Sequence, residues 1–227
     1  MSRLRSLAAT LAAAVMTVAL VPAAGAQSSS PTELIDGGRL PGVSSQLAPT
    51  GFSPNPLPEY GGTVDLERYA GTWYQVAAIP QPFTLQCASD VTAEYAVIDA
   101  DTISVRNSCG TPWGDRSTIE GTADVLSDAS LRVNFGGVPF QDPDGPVNYR
   151  VTWLADDYSI AIVGDPDRRS GFVLSREPAL SEDRWATVRG VVQERGWWDC
   201  AFLTYPVAGG KSTHQPLCAL DTLSPLS

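Results

Sequence analysis

The stretch VNYRVTWLADDYSIAIVGDPDRRSGFVLS, residues 147–175, decides the fold class of this 227-residue chain. It holds three short apolar segments, at residues 147–154, 158–164 and 171–175, with acidic turn sequences at residues 155–157 and 165–167 between them. Short apolar segments separated by Asp- and Pro-containing turns are typical of β-strands that follow one another along the chain. The stretch therefore predicts consecutive strands of an all-β domain.

The same pattern extends toward the N-terminus. Five further strands are predicted, at residues 73–79, 91–98, 102–107, 117–126 and 131–135. In the last of them Leu131, Val133 and Phe135 alternate with Arg132 and Asn134, which predicts one buried face and one wet face. Eight strands is the number at which a closed barrel can hold one small ligand. The predicted fold is an all-β, eight-stranded, antiparallel up-and-down barrel.

After the eighth strand the apolar residues recur at helical spacing. Ser181 is a good N-cap, acidic residues follow it, and Gly196 ends the pattern. The apolar stripe consists of Trp185, Val188, Val191 and Val192. It predicts a C-terminal α-helix packed on the outside of the barrel. A short closing strand at residues 201–205 and a loose tail at residues 208–227 follow.

The N-terminal residues are typical of an export signal. Arg3 and Arg5 precede an apolar run at residues 7–21, and the sequence Ala24-Gly25-Ala26 predicts cleavage after Ala26. A membrane anchor is the weaker alternative, because the run is shorter than the roughly 20 residues that span a bilayer. We therefore expect a secreted or cell-envelope protein. It would have a Pro-, Gly- and Ser-rich flexible linker at residues 27–62 and a barrel domain at residues 63–207.

The charge balance bears on the class of partner. The formal net charge is −10, and it becomes −12 once Arg3 and Arg5 are removed with the signal peptide. Nucleic acids and anionic lipid surfaces require a dense positive face, so neither is an expected partner. We expect no integral membrane segment after signal cleavage, no cofactor, and a monomer.

Four cysteines in an exported chain are best explained by two disulfides. Three pairings are possible. Cys87–Cys109 and Cys200–Cys218 are favoured, because Cys87 opens one predicted strand and Cys109 closes the next. A metal site is not expected, because the chain has no C-x-x-C pair and one histidine, His214, in the tail.

Three local sequences resemble the motifs of the lipocalin family and occur in the family's order. Residues 64–74, VDLERYAGTWY, resemble the opening motif, residues 157–163, DYSIAIV, the second, and residues 174–178, LSREP, the third. Residues 91–95 and 164–168 are most similar to the bacterial lipocalins and apolipoprotein D. The resemblance covers residues 64–205. It implies a barrel closed at one end that carries a small hydrophobic ligand and is not an enzyme.

The resemblance also implies how the closed end is built. Gly71 allows a tight turn into the first strand, Trp73 closes the floor of the cavity, and Arg176 lies across the indole of Trp73. A guanidinium over an indole face contributes roughly 0.5–2 kcal/mol, so the expected role of this pair is structural.

Alternation counted from Trp73 and Arg176 gives the candidate ligand contacts. They are Gln75, Ala77, Ala93, Tyr95, Val105, Asn107, Phe135, Phe172 and Leu174. The same counting places Ile79 inside. Four of the candidates, Tyr95, Asn107, Phe172 and Leu174, match pocket positions of apolipoprotein D-like proteins. At the open end, Phe83 and Trp113 are candidates for a lid.

The predicted lining is aliphatic and aromatic, which favours a fatty acid, a lysophospholipid or a similar molecule as ligand. Two other functions stay open. One is a cell-envelope protein-interaction module whose barrel is filled by its own side chains, and the other is a lipocalin-type isomerase or epoxidase-like enzyme. No G-x-S-x-G motif or phosphate-binding glycine loop supports catalysis.

Overall fold

The computed structural model describes residues 55–138 and 141–223. The predicted signal peptide, the linker up to residue 54, and Pro139 of the loop after the fifth strand lie outside the described residues. Within the described part of the chain, no helix is both long enough and apolar enough to cross a membrane.

A short helix, α1 (Leu66–Tyr69), leads into the strands. These are β1 (Gly71–Ala78), β2 (Ser89–Val97), β3 (Thr102–Gly110), β4 (Arg116–Val125), β5 (Ser130–Phe135), β6 (Tyr149–Leu154), β7 (Ile160–Gly164) and β8 (Gly171–Ser175). The helix α2 (Glu182–Glu194) and the two-residue strand β9 (Leu203–Thr204) follow. Short 3-10 helices occupy Pro82–Thr84, Asp199–Ala201 and Leu217–Leu223.

The first eight strands close into an antiparallel barrel, which confirms the predicted fold. Each strand pairs with the next one in sequence, and β1 pairs with both β8 and β2. At the open end β1 leaves β2 and pairs with β9, where Ala77 lies opposite Thr204. The barrel therefore has a closed end beneath α1 and an open end at the β1–β2 and β3–β4 loops.

The helix α2 lies on the outer wall, as predicted. Ser181 caps it by accepting a hydrogen bond from the Arg184 backbone N–H at 3.4 Å, and Gly196, with φ +84°, ends it. Its apolar side chains pack on outward-facing residues of β1, β7 and β8 in an outer cluster that is separate from the barrel interior. Trp185, Val188 and Val192 are among the buried members.

The chain is already ordered against the barrel at residues 55–62, which we call the strap. Leu57 is fully buried in the outer cluster, and its backbone N–H donates to the Pro166 carbonyl at 2.7 Å. Arg150 Nη1 donates to the Leu57 carbonyl at 2.6 Å, and Arg168 Nη1 to the Asn55 carbonyl at 2.8 Å. The prediction of a flexible linker is therefore wrong for these residues. Composition does not reveal that two arginines of the barrel satisfy the strap's carbonyls.

The prediction of a loose tail from residue 208 is also wrong within the described residues. Leu217 is fully buried in the outer cluster, and its backbone N–H donates to the Phe202 carbonyl at 3.0 Å. The Cys200–Cys218 disulfide fastens this segment to the 3-10 helix after α2. One buried leucine and one covalent bond are enough to order a segment whose composition is otherwise that of a loop.

Candidate functional site

The closed end is sealed by Trp73 and Arg176. Trp73 is fully buried, and its Nε1–H donates to the Tyr69 carbonyl at 2.8 Å. Arg176 lies with Cζ 3.8 Å from the centre of a Trp73 ring and donates to the carbonyls of Thr72, Arg68, Tyr69 and Ala70. Those carbonyls belong to the end of α1 and the start of β1, so one guanidinium joins both segments to the floor.

Gly71 occupies the turn between α1 and β1. Its φ of +93° lies in the left-handed region that favours glycine. A Cβ at this position would also lie 3.3 Å from Arg176 Nη1. The position therefore combines a backbone requirement with close approach of the floor arginine.

Above the floor lies a cavity of about 920 Å³ that opens at the mouth. This is within the usual range for small-molecule sites, about 300–1,000 Å³. Nine of the eleven predicted contacts line this cavity: Gln75, Phe83, Ala93, Tyr95, Val105, Asn107, Phe135, Phe172 and Leu174. A barrel filled by its own side chains does not fit this volume.

Ala77 does not line the cavity. A β-bulge between Gln75 and Ala77 shifts the register of β1 against β8, so that Ala77 lies opposite Val173, a member of the outer cluster. Counting by twos from Trp73 fails beyond the bulge because one extra residue reverses the facing of all that follow. Ile79, also predicted inside, packs on the outer cluster for the same reason.

Trp113 is absent from the lining as well, and it is 81% exposed. The β3–β4 turn continues the ladder beyond the barrel, with the Thr111 backbone N–H donating to the Asp115 carbonyl at 2.8 Å. The turn thereby carries Trp113 away from the cavity opening. Phe83, in contrast, both lines the mouth and is exposed.

The Cys87–Cys109 disulfide lies at the rim of the mouth, in the pairing that the sequence favours. It joins the end of the β1–β2 loop to β3, and both cysteines line the cavity. The loop contains the 3-10 helix Pro82–Thr84, held by the hydrogen bond from the Thr84 hydroxyl to the Gln81 carbonyl at 2.9 Å. The entrance therefore has a covalently fixed rim on one side.

Three tyrosine hydroxyls form a hydrogen-bonded group at the base of the cavity, here called the tyrosine triad. The Tyr149 hydroxyl lies 2.7 Å from that of Tyr69 and 3.2 Å from that of Tyr95. Burial raises the pKa of Tyr95 to about 12 and the pKa values of Tyr69 and Tyr149 well above their ordinary value. All three are therefore protonated at neutral pH and can donate.

Sequence reasoning identified Tyr95 but missed its two partners. Tyr149 lines the cavity at the start of β6, and Tyr69 lies in α1, where it stacks on Tyr95 at 5.5 Å. Alternation along β6 could have indicated Tyr149, but this strand offered no residue of known facing from which to count. Tyr69 was not identifiable, because a residue of α1 enters the barrel only through the tertiary arrangement.

Two amide atoms of the cavity wall have no hydrogen-bond partner among the described residues. They are Gln75 Nε2 and Asn107 Oδ1, and both are buried. Buried polar atoms without partners are uncommon in native proteins, and their desolvation costs about 1–3 kcal/mol each. Because their residues line the cavity, a bound molecule is the partner that these atoms lack, once small side-chain rotations bring them to its surface.

Charged side chains are few around the cavity. Asp165 and Arg169 line it, both in the β7–β8 turn at the rim, and Arg169 is ion-paired with Asp167 at 3.2 Å. Two arginines of the barrel strands, Arg106 and Arg150, do not face inward. Arg106 pairs with Glu94 and Glu120 on the outer wall, and Arg150 binds the strap. The described lining is therefore uncharged below the rim.

A possible metal cluster of Asp199, Cys200 and Cys218 lies outside the cavity. Its two sulfurs are joined in the disulfide, and Asp199 is paired with Arg189 at 3.3 Å. A disulfide sulfur has no thiolate to offer a metal, so this group does not form a metal site.

The sequence is similar to a known protein family and to several of its members. A model of the lipocalin-like domain matches residues 64–207. Temperature-induced lipocalin-1 of Arabidopsis thaliana is 34% identical over 142 residues, which are 59% of this chain and 74% of that protein. Outer membrane lipoprotein Blc of Citrobacter freundii is 33% identical over 153 residues, 63% of this chain and 81% of the relative.

Solved structures agree at the level of fold. The crystal structure of the cockroach allergen Per a 4 aligns with a TM-score of 0.50 over 66% of this chain and 96% of that one. Its sequence identity is 18%, so the likeness supports the shared fold alone.

Proposed function

The chain belongs to the lipocalin-like domain family, and from that premise we propose that it binds and carries a small hydrophobic ligand such as a fatty acid or a lysophospholipid. The observation that carries the proposal is the cavity of about 920 Å³, closed at the floor and open at the mouth. Its wall is built largely from apolar side chains, including Val105, Phe135 and Leu174.

The energetics of such a cavity favour a long apolar chain. Burial contributes about 0.8 kcal/mol per methylene, so a chain of about fifteen methylenes contributes about 12 kcal/mol. Association costs at least about 4 kcal/mol. The difference, about 8 kcal/mol, corresponds to micromolar binding.

We propose that the cargo is carried without being converted. The residues that line the cavity include no histidine, and its two cysteines are in a disulfide. Its tyrosines have pKa values raised by burial, which makes them poor general bases at neutral pH. This lining supports binding better than acid–base or nucleophilic catalysis.

We further propose that the protein is exported and works as a secreted or cell-envelope carrier, with the barrel domain preceded by a cleaved signal peptide. Two disulfides support an oxidising compartment. Mass spectrometry of the protein isolated from its native host tests the proposal, with a mature chain that begins at Gln27 as the expected result. A retained N-terminus would contradict it.

The binding proposal is tested by titration of the purified protein with N-phenyl-1-naphthylamine, a neutral apolar dye whose fluorescence rises in apolar sites, followed by displacement with lysophospholipid and fatty acid. We expect saturable binding in the micromolar range. Val133→Trp, which places a large side chain on the cavity wall, weakens it, while Thr122→Trp, the same change at an exposed position of β4, leaves it unchanged.

Two results would contradict the proposal. One is the absence of saturable dye binding by folded protein, and the other is equal weakening by both tryptophan substitutions. Mass spectrometry of molecules that co-purify with the native protein identifies the cargo, and a cargo recovered in altered form after incubation would favour an enzyme.

A further inference from the structure

The inner cavity holds polar groups that an all-apolar cargo would leave without partners. Gln75 is more than nine-tenths buried, and its Nε2 has no hydrogen-bond partner among the described residues. It is the next inward-facing residue of β1 after the floor residue Trp73. The tyrosine triad adjoins the same floor, since the Tyr69 ring lies 5.0 Å from that of Trp73.

One hydroxyl proton of the tyrosine triad is not used in hydrogen bonds within the triad. Its three hydroxyls carry three O–H groups, but only two hydroxyl contacts join them, and each contact uses one proton. The third O–H has no acceptor among the described residues. If it belonged to Tyr69 it would be buried away from the cavity without an acceptor, whereas on Tyr95 or Tyr149 it faces the cavity that both residues line. The second arrangement is favoured because it avoids a buried, unsatisfied donor.

A buried acceptor lies on the adjoining wall of the cavity. Asn107 Oδ1 has no partner among the described residues, and Asn107 lies opposite Ala93 on β2, which in turn lies opposite Trp73 on β1. Gln75 and Asn107 thus belong to the two strands that flank β2, and both line the cavity. A ligand hydroxyl both accepts and donates hydrogen bonds, so it matches these donors and this acceptor.

The charged residues around the cavity indicate whether this end of the ligand is ionised or neutral. The charged residues of the lining, Asp165 and Arg169, lie at the rim. The floor guanidinium of Arg176 is not part of the lining, and its donors already bind four backbone carbonyls. A carboxylate near the floor would therefore have no cation of the lining to pair with, and an unpaired buried charge is costly. A neutral hydroxyl carries no such cost.

We infer that the inner part of the cavity is a hydrogen-bonding subsite for a neutral, hydroxyl-bearing end of the cargo, formed by Gln75 and the tyrosine triad, with Asn107 on the adjoining wall. The inference rests on the proposed function, because it assigns the chemistry of the cargo that the barrel carries. It places a long-chain or cyclic alcohol deep in the cavity, with its hydrocarbon toward the mouth.

Displacement of N-phenyl-1-naphthylamine by 1-decanol, decane and decanoate tests this assignment. In a purely apolar cavity decane binds more tightly than decanol, because the hydroxyl must be stripped of water. With the subsite, decanol binds at least as tightly as decane at pH 7 and more tightly than decanoate. Decanoate gains affinity as the pH falls and its carboxylate is protonated.

The decisive variant is Gln75→Leu, with Gln81→Leu as its matched control. Gln81 also lines the cavity, but at the mouth, where its side chain donates to the Arg169 carbonyl at 3.0 Å. We expect Gln75→Leu to lower the affinity for decanol relative to decane about tenfold. Gln81→Leu leaves this ratio unchanged, and thermal unfolding verifies that both variants are folded.

The outcomes separate this inference from the proposed function. Tighter binding of decane than of decanol, an unchanged ratio in Gln75→Leu, or decanoate that matches decanol at pH 7 overturns the subsite and leaves the apolar carrier standing. Failure of the dye and of all three competitors to bind the folded protein overturns both.

Discussion

Arg176 shows how one residue fixes the closed end of the barrel. Its guanidinium covers the Trp73 indole and donates to four backbone carbonyls. Lysine could not replace it, because three donors on a single nitrogen cannot reach carbonyls on two separate segments while also lying flat on an aromatic ring.

Replacement of this arginine tests its structural role. Arg176→Met keeps much of the side-chain length but removes the cation and the donors, so we expect a loss of about 2–4 kcal/mol in the free energy of unfolding, measured with urea. Arg106→Met is the control. Arg106 pairs with two glutamates on the exposed outer wall, and its loss is expected to cost less than about 1 kcal/mol. Equal losses in both variants would contradict the role.

The strap is the element whose contribution to stability is least expected from the sequence. It precedes the residues matched by the family model, which begin at residue 64, yet its Leu57 is completely buried. Two arginines of the barrel bind its backbone, Arg150 from β6 and Arg168 from the turn between β7 and β8. The strap is thus part of the folded unit.

We expect Leu57→Ala to lower the free energy of unfolding by about 2–5 kcal/mol, because it leaves a cavity in the outer cluster. Leu126→Ala is the matched control, since Leu126 is an exposed leucine after β4. Denaturant unfolding followed by tryptophan fluorescence measures both. A Leu57→Ala loss no larger than that of the control would mean that the strap does not contribute to stability.

The carboxylate of Glu59 makes the strap's contribution to stability depend on pH. Hydrogen bonds from the Ser127 and Ser130 hydroxyls lower the pKa of Glu59 below its ordinary value of 4.5, and the charge of Arg150 lowers it further. Because the folded-state pKa is the lower one, the stabilisation is present above the ordinary pKa and is lost as the pH falls through the folded-state pKa.

Glu59→Gln should therefore be less stable than the wild type at pH 7, and the difference should shrink as the pH falls below about 4.5. The free energies of unfolding of both proteins, measured at several pH values between 7 and 3, provide the test. A difference that stays constant across this range would show that the carboxylate charge is not responsible.

At the scale of the whole molecule, the two disulfides have different positions relative to the cavity. Cys87–Cys109 lies at the rim of the mouth, whereas Cys200–Cys218 holds the C-terminal segment to the outer cluster and does not line the cavity. Their loops are similar in length, with sequence separations of 22 and 18 residues, so their effects on stability should be similar.

Removal of each disulfide by paired Cys→Ala substitutions separates stability from ligand exchange. Each double variant should lose about 3 kcal/mol in the free energy of unfolding. Only the Cys87→Ala, Cys109→Ala variant should release N-phenyl-1-naphthylamine faster, by a severalfold increase in the dissociation rate in stopped flow, because its rim is no longer fixed. Equal dissociation rates in the two variants would contradict a role for this disulfide at the mouth.

The sequence by itself determined the eight strands, their turns and the outer helix, and its resemblance to the lipocalin family identified the floor residues. The strands, turns and helix are encoded locally, because side-chain alternation, turn residues and helix caps act over a few positions. The pairing of Cys87 with Cys109 was also predictable, since a hairpin brings the cysteines at its two ends together. Eight residues of the cavity lining followed by counting along regular strands from Trp73 and Arg176.

Only the tertiary structure decided the rest. The bulge after Gln75 turns Ala77 outward, and no local pattern marks where a ladder gains a residue. The strap and the C-terminal segment are ordered by grooves and donors on distant parts of the chain. The partnerless Gln75 amide and the tyrosine triad arise because α1, β1, β2 and β6 meet inside the barrel. Such relations depend on which surfaces come together, and sequence spacing does not record that.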